Sequence, residues 1–239
     1  MKPTLPPSEA FIRDVRTMPL PGVPQARLLR CRFDSSRYDD DWFARYGVPF
    51  PPALASAAVR RKAEHLAGRY LCKELLGAAG LPPLVPIGKS RAPVWPDGWL
   101  GSITHVDGIA MCCLCRKADV ALLGIDLEYW MEEGVAHDIA PTIVDARERE
   151  LLAAPWSFSR GLSLVFSAKE SFFKAAFPHV GRYFDFHAVR IVRIDHAARR
   201  FDLQVVEPLA PGLLPGHIVT GSFLDDEETV FTSIAERAG

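Results

Sequence analysis

The sequence predicts an α+β protein of two similar, pseudo-symmetric lobes, each a long helix packed on a small, mainly antiparallel sheet, divided as residues 1–119 and 120–239. Each half carries one long stretch of helical periodicity, at 56–77 and at 159–177. Each half also carries several short apolar, strand-like segments bounded by turn formers. No repeat is visible by identity, yet pairing one long helix with several strands twice over implies two lobes of like construction.

Composition narrows the partners. With 49% hydrophobic and 24% charged residues, the 239-residue chain can bury one large core or two small ones. Its 28 Lys and Arg against 29 Asp and Glu leave a net charge of -1, so any basic function must be local, and neither nucleic acid nor an anionic membrane is expected as a partner. The start Met1-Lys-Pro-Thr-Leu-Pro-Pro has no apolar signal-peptide core, and no run of about 18 apolar residues exists to cross a bilayer, which makes cytoplasm the expected location. Cys112, Cys113 and Cys115 have no second Cys or His pair at zinc-like spacing and read as small apolar strand residues, with Cys31 and Cys72 as buried thiols.

Residues 1–26 are proline-rich and read as irregular, with a short turn of helix at 11–18. A strand follows at 26–33, a short helix at 39–46 and a break at 47–52. The helix at 56–77 takes Ser56 as its N-cap and Gly77 or Gly80 as its stop. Its apolar face holds Val59, Ala63, Leu66, Ala67, Tyr70, Leu71 and Leu75, while Arg61, Lys62, His65, Arg69 and Lys73 occupy the opposite arc. A solvated face is the ordinary reading of that arc, but Glu64 and Glu74 lie outside it, which leaves an anionic ligand as the second reading. The loop at 88–105 offers Lys89 and Arg91 as cations, then Ser102, Thr104 and His105 as hydrogen-bonding groups, with Gly98 and Gly101 allowing close backbone approach. Strands at 109–115 and 121–128 are joined by a polar turn, helices follow at 145–152 and 159–177, and four more strands at 188–194, 201–206, 217–223 and 230–234.

The chemistry concentrates in two segments. In Gly124-Ile-Asp-Leu-Glu128 the strand period puts Asp126 and Glu128 on one face, and adjacent carboxylates repel unless a proton or cation lies between them. In Phe166-Ser-Ala-Lys-Glu-Ser-Phe-Phe-Lys174 the helical period puts Glu170 and Lys174 on one side, within a helix apolar enough that Lys169, Glu170 and Lys174 need partners, a metal or a charged ligand. Taken alone, Glu170 and Lys174 read equally as an i,i+4 ion pair worth a few tenths of a kcal/mol. Together the segments supply three carboxylates and a lysine, and oxygen-only donors suit Mg²⁺ or Mn²⁺ held against a phosphate.

Five motifs in order, Arg61-Lys-Ala-Glu-His-Leu-Ala-Gly-Arg69, Ala92-Pro-Val-Trp-Pro96, Gly101-Ser-Ile-Thr-His105, Gly124-Ile-Asp-Leu-Glu128 and Phe166-Ser-Ala-Lys-Glu-Ser-Phe-Phe-Lys-Ala175, resemble the surfactin-type phosphopantetheinyl transferases, most closely their enterobactin-synthase branch. Leu127 stands where that family commonly has Ile. The resemblance implies transfer of the 4'-phosphopantetheine arm of coenzyme A to a serine of an acyl or peptidyl carrier protein, with release of 3',5'-ADP. It implies Mg²⁺ among Asp126, Glu128 and Glu170, Glu170 as general base, Lys174 at the leaving phosphate and Lys169 as a second cation. It further implies Arg61 and Arg69 at the 3'-phosphate and adenylate end, and Lys89 or Arg91, Ser102, Thr104 and His105 at the remaining phosphates. The carriers are expected to be small acidic helical domains, and residues 140–152 are the candidate docking segment, although Glu148 and Glu150 have the wrong sign for such a partner. A monomer is expected.

Overall fold

The computed structural model describes residues 10–88, 90–152 and 155–238. The chain divides into two compact units, the first comprising residues up to Leu20 together with Pro24–Arg116, the second Pro21–Val23 together with the residues from Lys117 onward.

The first unit contains β1 (Ile12–Met18), β2 (Arg27–Phe33), α1 (Asp41–Tyr46), α2 (Val59–Ala78), β3 (Trp99–Val106) and β4 (Ile109–Arg116). Its sheet runs β1-β2-β4-β3 with every pairing antiparallel. Ala63, Leu66, Ala67, Leu71, Leu75 and Leu76 of α2 form its core with Cys31, Phe33, Ala110, Cys112 and Leu114 of β2 and β4. All five cysteines are buried and free, packed as the small apolar residues and buried thiols expected. Two expectations are corrected here. Residues 12–18 form an edge strand rather than a turn of helix; they are mostly solvent-facing on both sides, so no alternation marks them in the sequence. Helix α2 starts at Val59, after a 3-10 turn at Pro52–Leu54, and Ser56 does not cap it.

The second unit contains β5 (Val120–Tyr129), α3 (Glu133–Ile143), α4 (Ala146–Glu150), α5 (Phe158–Val180), β6 (Val189–Asp195), β7 (Arg200–Val205), β8 (Ile218–Asp225) and β9 (Thr229–Arg237). Its antiparallel sheet runs β5-β9-β8-β7-β6. Each unit therefore pairs a long helix with an antiparallel sheet, the α+β construction expected. Helix α5 opens on Ser157, whose Oγ accepts from the Arg160 amide, and ends at Gly181 in the left-handed conformation, φ 69°. Its Leu162, Val165, Ala168, Phe172 and Ala175 pack with Leu203, Val219, Phe223, Val230 and Ile234 of the sheet. Helix α3 has no counterpart in the sequence reading, where Pro141 within its last turns obscured the pattern.

Gly124 sets the distance between α5 and the sheet. A Cβ built there would lie 2.0 Å from the Ser171 carbonyl oxygen and 2.7 Å from the Ala175 amide nitrogen, both backbone atoms that can yield only if the helix moves. Gly124→Ala is accordingly expected to destabilise the protein by about 3 kcal/mol. Chemical denaturation should show the lowered midpoint; an unchanged midpoint would mean that the helix is not seated this closely.

Candidate active site

The contact of α5 with β5 gathers the acidic groups. Asp126 is inward on β5, its side chain 3% exposed, and Lys174 Nζ donates to its Oδ1 at 2.5 Å. Asp126 Oδ2 accepts from Ser167 Oγ at 2.9 Å. Glu128, two residues along the same strand face, is pushed up to about 8, first by burial and then by the charge of Asp126, with Glu170 adding to the rise and Lys174 opposing it. Glu170 is also raised, first by burial, with Lys174 opposing and Asp126 adding. The mutual influence of these groups places Asp126, Glu128, Glu170 and Lys174 in one electrostatic neighbourhood, so Lys174 does more than pair with Glu170 along the helix.

Among the described residues, no group of three or more His, Cys, Asp and Glu side chains is drawn together closely enough to hold a metal ion. The chemistry of the donor set nevertheless fits a hard divalent cation. All three are carboxylates, and two of them are held above the ordinary carboxylate range by burial and by neighbouring negative charge, a cost that a cation relieves.

Lys169 lies elsewhere. Its side chain is fully buried, and Nζ donates to Glu148 Oε1 and to the Ile143 carbonyl, each at 2.7 Å. Glu148 in turn accepts from the amides of Asp145 and Ile191 at 2.8 Å, so this ion pair ties α5 to α4 and β6. Burial lowers the Lys169 pKa and Glu148 opposes the shift. Lys169 is therefore committed to a buried ion pair, not set beside Lys174 as the second cation that the family resemblance implied; flanking Glu170 on one helix does not give two lysines the same environment.

In the first unit the basic arc of α2 resolves into different fates. Lys62 pairs with Asp40 at 3.3 Å, and Lys73 Nζ donates to the Tyr46 carbonyl at 2.5 Å, which ties both to the segment carrying α1. His65 is pushed down to about 4, by burial first and then by Arg69, Arg61 and His105, so it is neutral at physiological pH. Arg61 is exposed and its Nη1 lies 3.5 Å from His105 Nε2. Arg69 is half-buried and bonds to the Cys72 thiol. Glu64, given no role in the sequence reading, is buried; it accepts from Arg60 Nε at 2.8 Å and lies 3.6 Å from His105 Nδ1. The imidazole thus lies with Nδ1 toward Glu64 and Nε2 toward Arg61. A carboxylate next to Ala63 and close to Leu66 on the core side of α2 was the available signal.

Strand alternation separates the remaining candidates. Ser102 and Thr104 are buried on one side of β3, whereas His105 lies on the other with Ile103, which packs against Gly68 of α2. The structure thus joins His105 to Arg61 but does not bring Ser102 and Thr104 onto their face. Arg91 is exposed in a turn closed by its amide on the Gly88 carbonyl, with φ 62°. Lys89 lies outside the described residues.

Residues 50–115 match the family model for the 4'-phosphopantetheinyl transferase N-terminal domain, and residues 122–211 that for the 4'-phosphopantetheinyl transferase superfamily. The 4'-phosphopantetheinyl transferase Svp of Streptomyces mobaraensis is 37% identical over 181 residues, covering 73% of this chain and 69% of that protein. The chain belongs to the 4'-phosphopantetheinyl transferase superfamily. Enterobactin synthase component D of Salmonella typhi is 41% identical over 129 residues, 54% of this chain and 53% of that protein, so the chain spans about half the length of this relative. A solved holo-[acyl-carrier-protein] synthase from Thermotoga maritima aligns over 50% of this chain and 65% of that chain with a TM-score of 0.38 and 22% identity, a likeness that bears no weight in the assignment. The three N-terminal motifs fall inside the first matched span and the two acidic motifs inside the second, so every residue group of the phosphopantetheinyl transferase reading lies within a family match.

The environment of Glu128 has a consequence for stability. Its proton is held more tightly in the folded than in the unfolded chain, so its contribution to stability is full below about pH 4.5 and is lost as the pH rises through about 8. In a chelating buffer, the stability of wild type relative to Glu128→Gln is expected to decline over that interval. Parallel melting profiles for the two proteins would contradict this environment for Glu128.

Proposed function

We propose that this chain transfers the 4'-phosphopantetheine arm of coenzyme A to a serine of apo acyl and peptidyl carrier proteins, releasing 3',5'-ADP. The observation that carries the reading is the convergence of Asp126, Glu128, Glu170 and Lys174 at the α5–β5 contact in a member of this superfamily. Asp126, Glu128 and Glu170 are the residues to hold Mg²⁺ or Mn²⁺. When bound, such a cation neutralises pyrophosphate and draws off charge as the phosphoanhydride breaks.

In this reading Glu170 accepts the proton of the carrier serine hydroxyl, and the pKa raised by its burial brings it toward the range of an effective base at neutral pH. The serine oxygen forms its bond to the pantetheine-bearing phosphorus as the bridging P–O bond breaks, and Lys174 neutralises the oxygen that leaves with 3',5'-ADP. Residues 1–119 take coenzyme A: Arg61 and Arg69 the 3'-phosphate and adenylate end, His105 with Lys89 or Arg91 the remaining phosphates. Glu64 serves that part by fixing the His105 ring.

Residues 120–239 carry the catalytic helix and receive the carrier. Because Glu148 is buried on Lys169, it adds no negative charge to the surface of α4. Arg147 and Arg149 are exposed there with Glu150, beside Leu151, so burial of Glu148 leaves two cations against one anion on this helix, a better match to an acidic helical partner than the sequence suggested. The names of the enterobactin synthase relatives make peptidyl carriers of siderophore assembly the first candidates to test.

Intact-mass spectrometry of an apo peptidyl carrier and an apo acyl carrier, each incubated with this protein, coenzyme A and Mg²⁺, should show a gain of about 340 Da, the mass of the transferred arm. Absence of the gain from both carriers would refute the transfer reading. Glu170→Gln is expected to lower the rate by about 10²–10⁴-fold with coenzyme A still bound. Arg61→Ala should weaken coenzyme A about tenfold, the loss of one charge-assisted hydrogen bond, and dephospho-coenzyme A much less. Equal losses for the two ligands would move Arg61 away from the 3'-phosphate.

A further inference from the structure

Behind Asp126 lies a chain of hydroxyls that the transfer reading does not use. Thr232 of β9 sits directly across from Asp126 of β5 in the antiparallel register. Ser167 and Ser171, one turn apart on α5, close over the pair: Ser167 Oγ is 2.9 Å from Thr232 Oγ1 and Ser171 Oγ is 2.6 Å from it. Ser167, Ser171 and Thr232 are all fully buried. Ser171 Oγ also donates to the Thr232 carbonyl oxygen at 3.1 Å, and Ser167 Oγ donates to Asp126 Oδ2 at 2.9 Å.

The donor inventory gives this chain a direction. A hydroxyl has one proton, and an ionised carboxylate only accepts. Three hydroxyl protons serve these four contacts: Ser167 donates to Asp126, Thr232 donates to Ser167, and the single Ser171 proton is shared between the Thr232 carbonyl and Thr232 Oγ1. The Thr232 and Ser167 protons then point toward Asp126, with Ser171 holding Thr232 in place, and hydrogen bonds aligned in sequence polarise one another. Asp126 Oδ2 accepts from this chain, while Oδ1 faces Lys174.

We propose that Ser171, Thr232 and Ser167 form a positioning relay that fixes the rotation of the Asp126 carboxylate and thereby presents Oδ1 to the divalent cation. The inference rests on the reading of Asp126 as a metal ligand. The three hydroxyls are positioning residues, since they act only through Asp126. Outer hydrogen bonds of this kind, when removed, typically lower metal affinity about 10–100-fold.

The isosteres at Thr232 separate positioning from packing. Thr232→Val keeps the shape and removes the hydroxyl, whereas Thr232→Ser keeps the hydroxyl and removes a methyl group. Mn²⁺ binding to the metal-free full chain, followed by electron paramagnetic resonance, is the readout, with folding checked by near-UV circular dichroism. Thr232→Val is expected to weaken Mn²⁺ about tenfold or more, Thr232→Ser to bind as wild type, and Ser171→Ala, which has no contact with Asp126 given by the relay, to weaken it in the same direction but less. Asp126→Ala serves as the reference for the metal reading. If Asp126→Ala loses Mn²⁺ while Thr232→Val retains wild-type affinity, the relay is overturned and the metal site stands. If Asp126→Ala itself binds Mn²⁺ as wild type, the metal reading falls and the relay falls with it. A pattern in which Thr232→Ser is the weaker binder and Thr232→Val is normal assigns Thr232 to packing and equally overturns the relay.

Discussion

Nearly everything in the candidate active site depends on how closely the α5 backbone lies against β5. Gly124 has no side chain to hold the helix off, and any Cβ there would collide with the backbone of Ser171 and Ala175. At that separation, residues with short side chains span the gap, which is why Ser167 reaches Asp126 and Ser171 reaches Thr232. A larger spacing would leave these hydroxyls and the carboxylate buried without partners, at a cost of about 1–3 kcal/mol for each unsatisfied group. The glycine of the Gly-Ile-Asp-Leu-Glu motif is thus a geometric requirement of the acid residue two positions later.

The same helix uses its two lysines in opposite ways. Lys169 is sealed into an ion pair with Glu148 whose remaining acceptor capacity is taken by backbone amides, so its charge is compensated within the protein. Lys174 keeps 27% of its side chain exposed and lies among acidic groups that are imperfectly compensated. Five residues of helix rotate the side chain by about 500°, enough to carry it from the α4 side to the β5 side. Surplus negative charge at one rim and neutrality in the interior are what make the rim a place for chemistry. In the first unit the buried Glu64 faces one ring nitrogen of His105 while Arg61 approaches the other.

Much of this was legible from spacing. The two long helices, the acidic strand and every strand of the second sheet follow from periodicity, because their buried faces are apolar and regular. The failures have equally physical origins. Strand β1 is exposed on both sides and leaves no pattern, and α3 carries Pro141 where a helix is least expected. The basic arc of α2 looked uniform, yet Lys62 and Lys73 are used by the α1 segment and His65 is held neutral by burial. Glu148 looked like an obstacle on a docking surface and is instead a buried counter-charge.

The sequence by itself determined which residues are chemically capable and on which elements they ride, since strand and helix periods are local properties of the backbone. It placed Asp126 with Glu128 on one strand face, and Glu170 with Lys174 on one helix side. Only the tertiary structure decided which of these groups meet, because contacts such as Asp126 with Ser167 or Lys169 with Glu148 join residues far apart in the chain. Burial and the field of distant neighbours, not residue type, set how strongly Glu128 and Glu170 hold their protons. That part of the site exists only once α5 has settled onto the sheet.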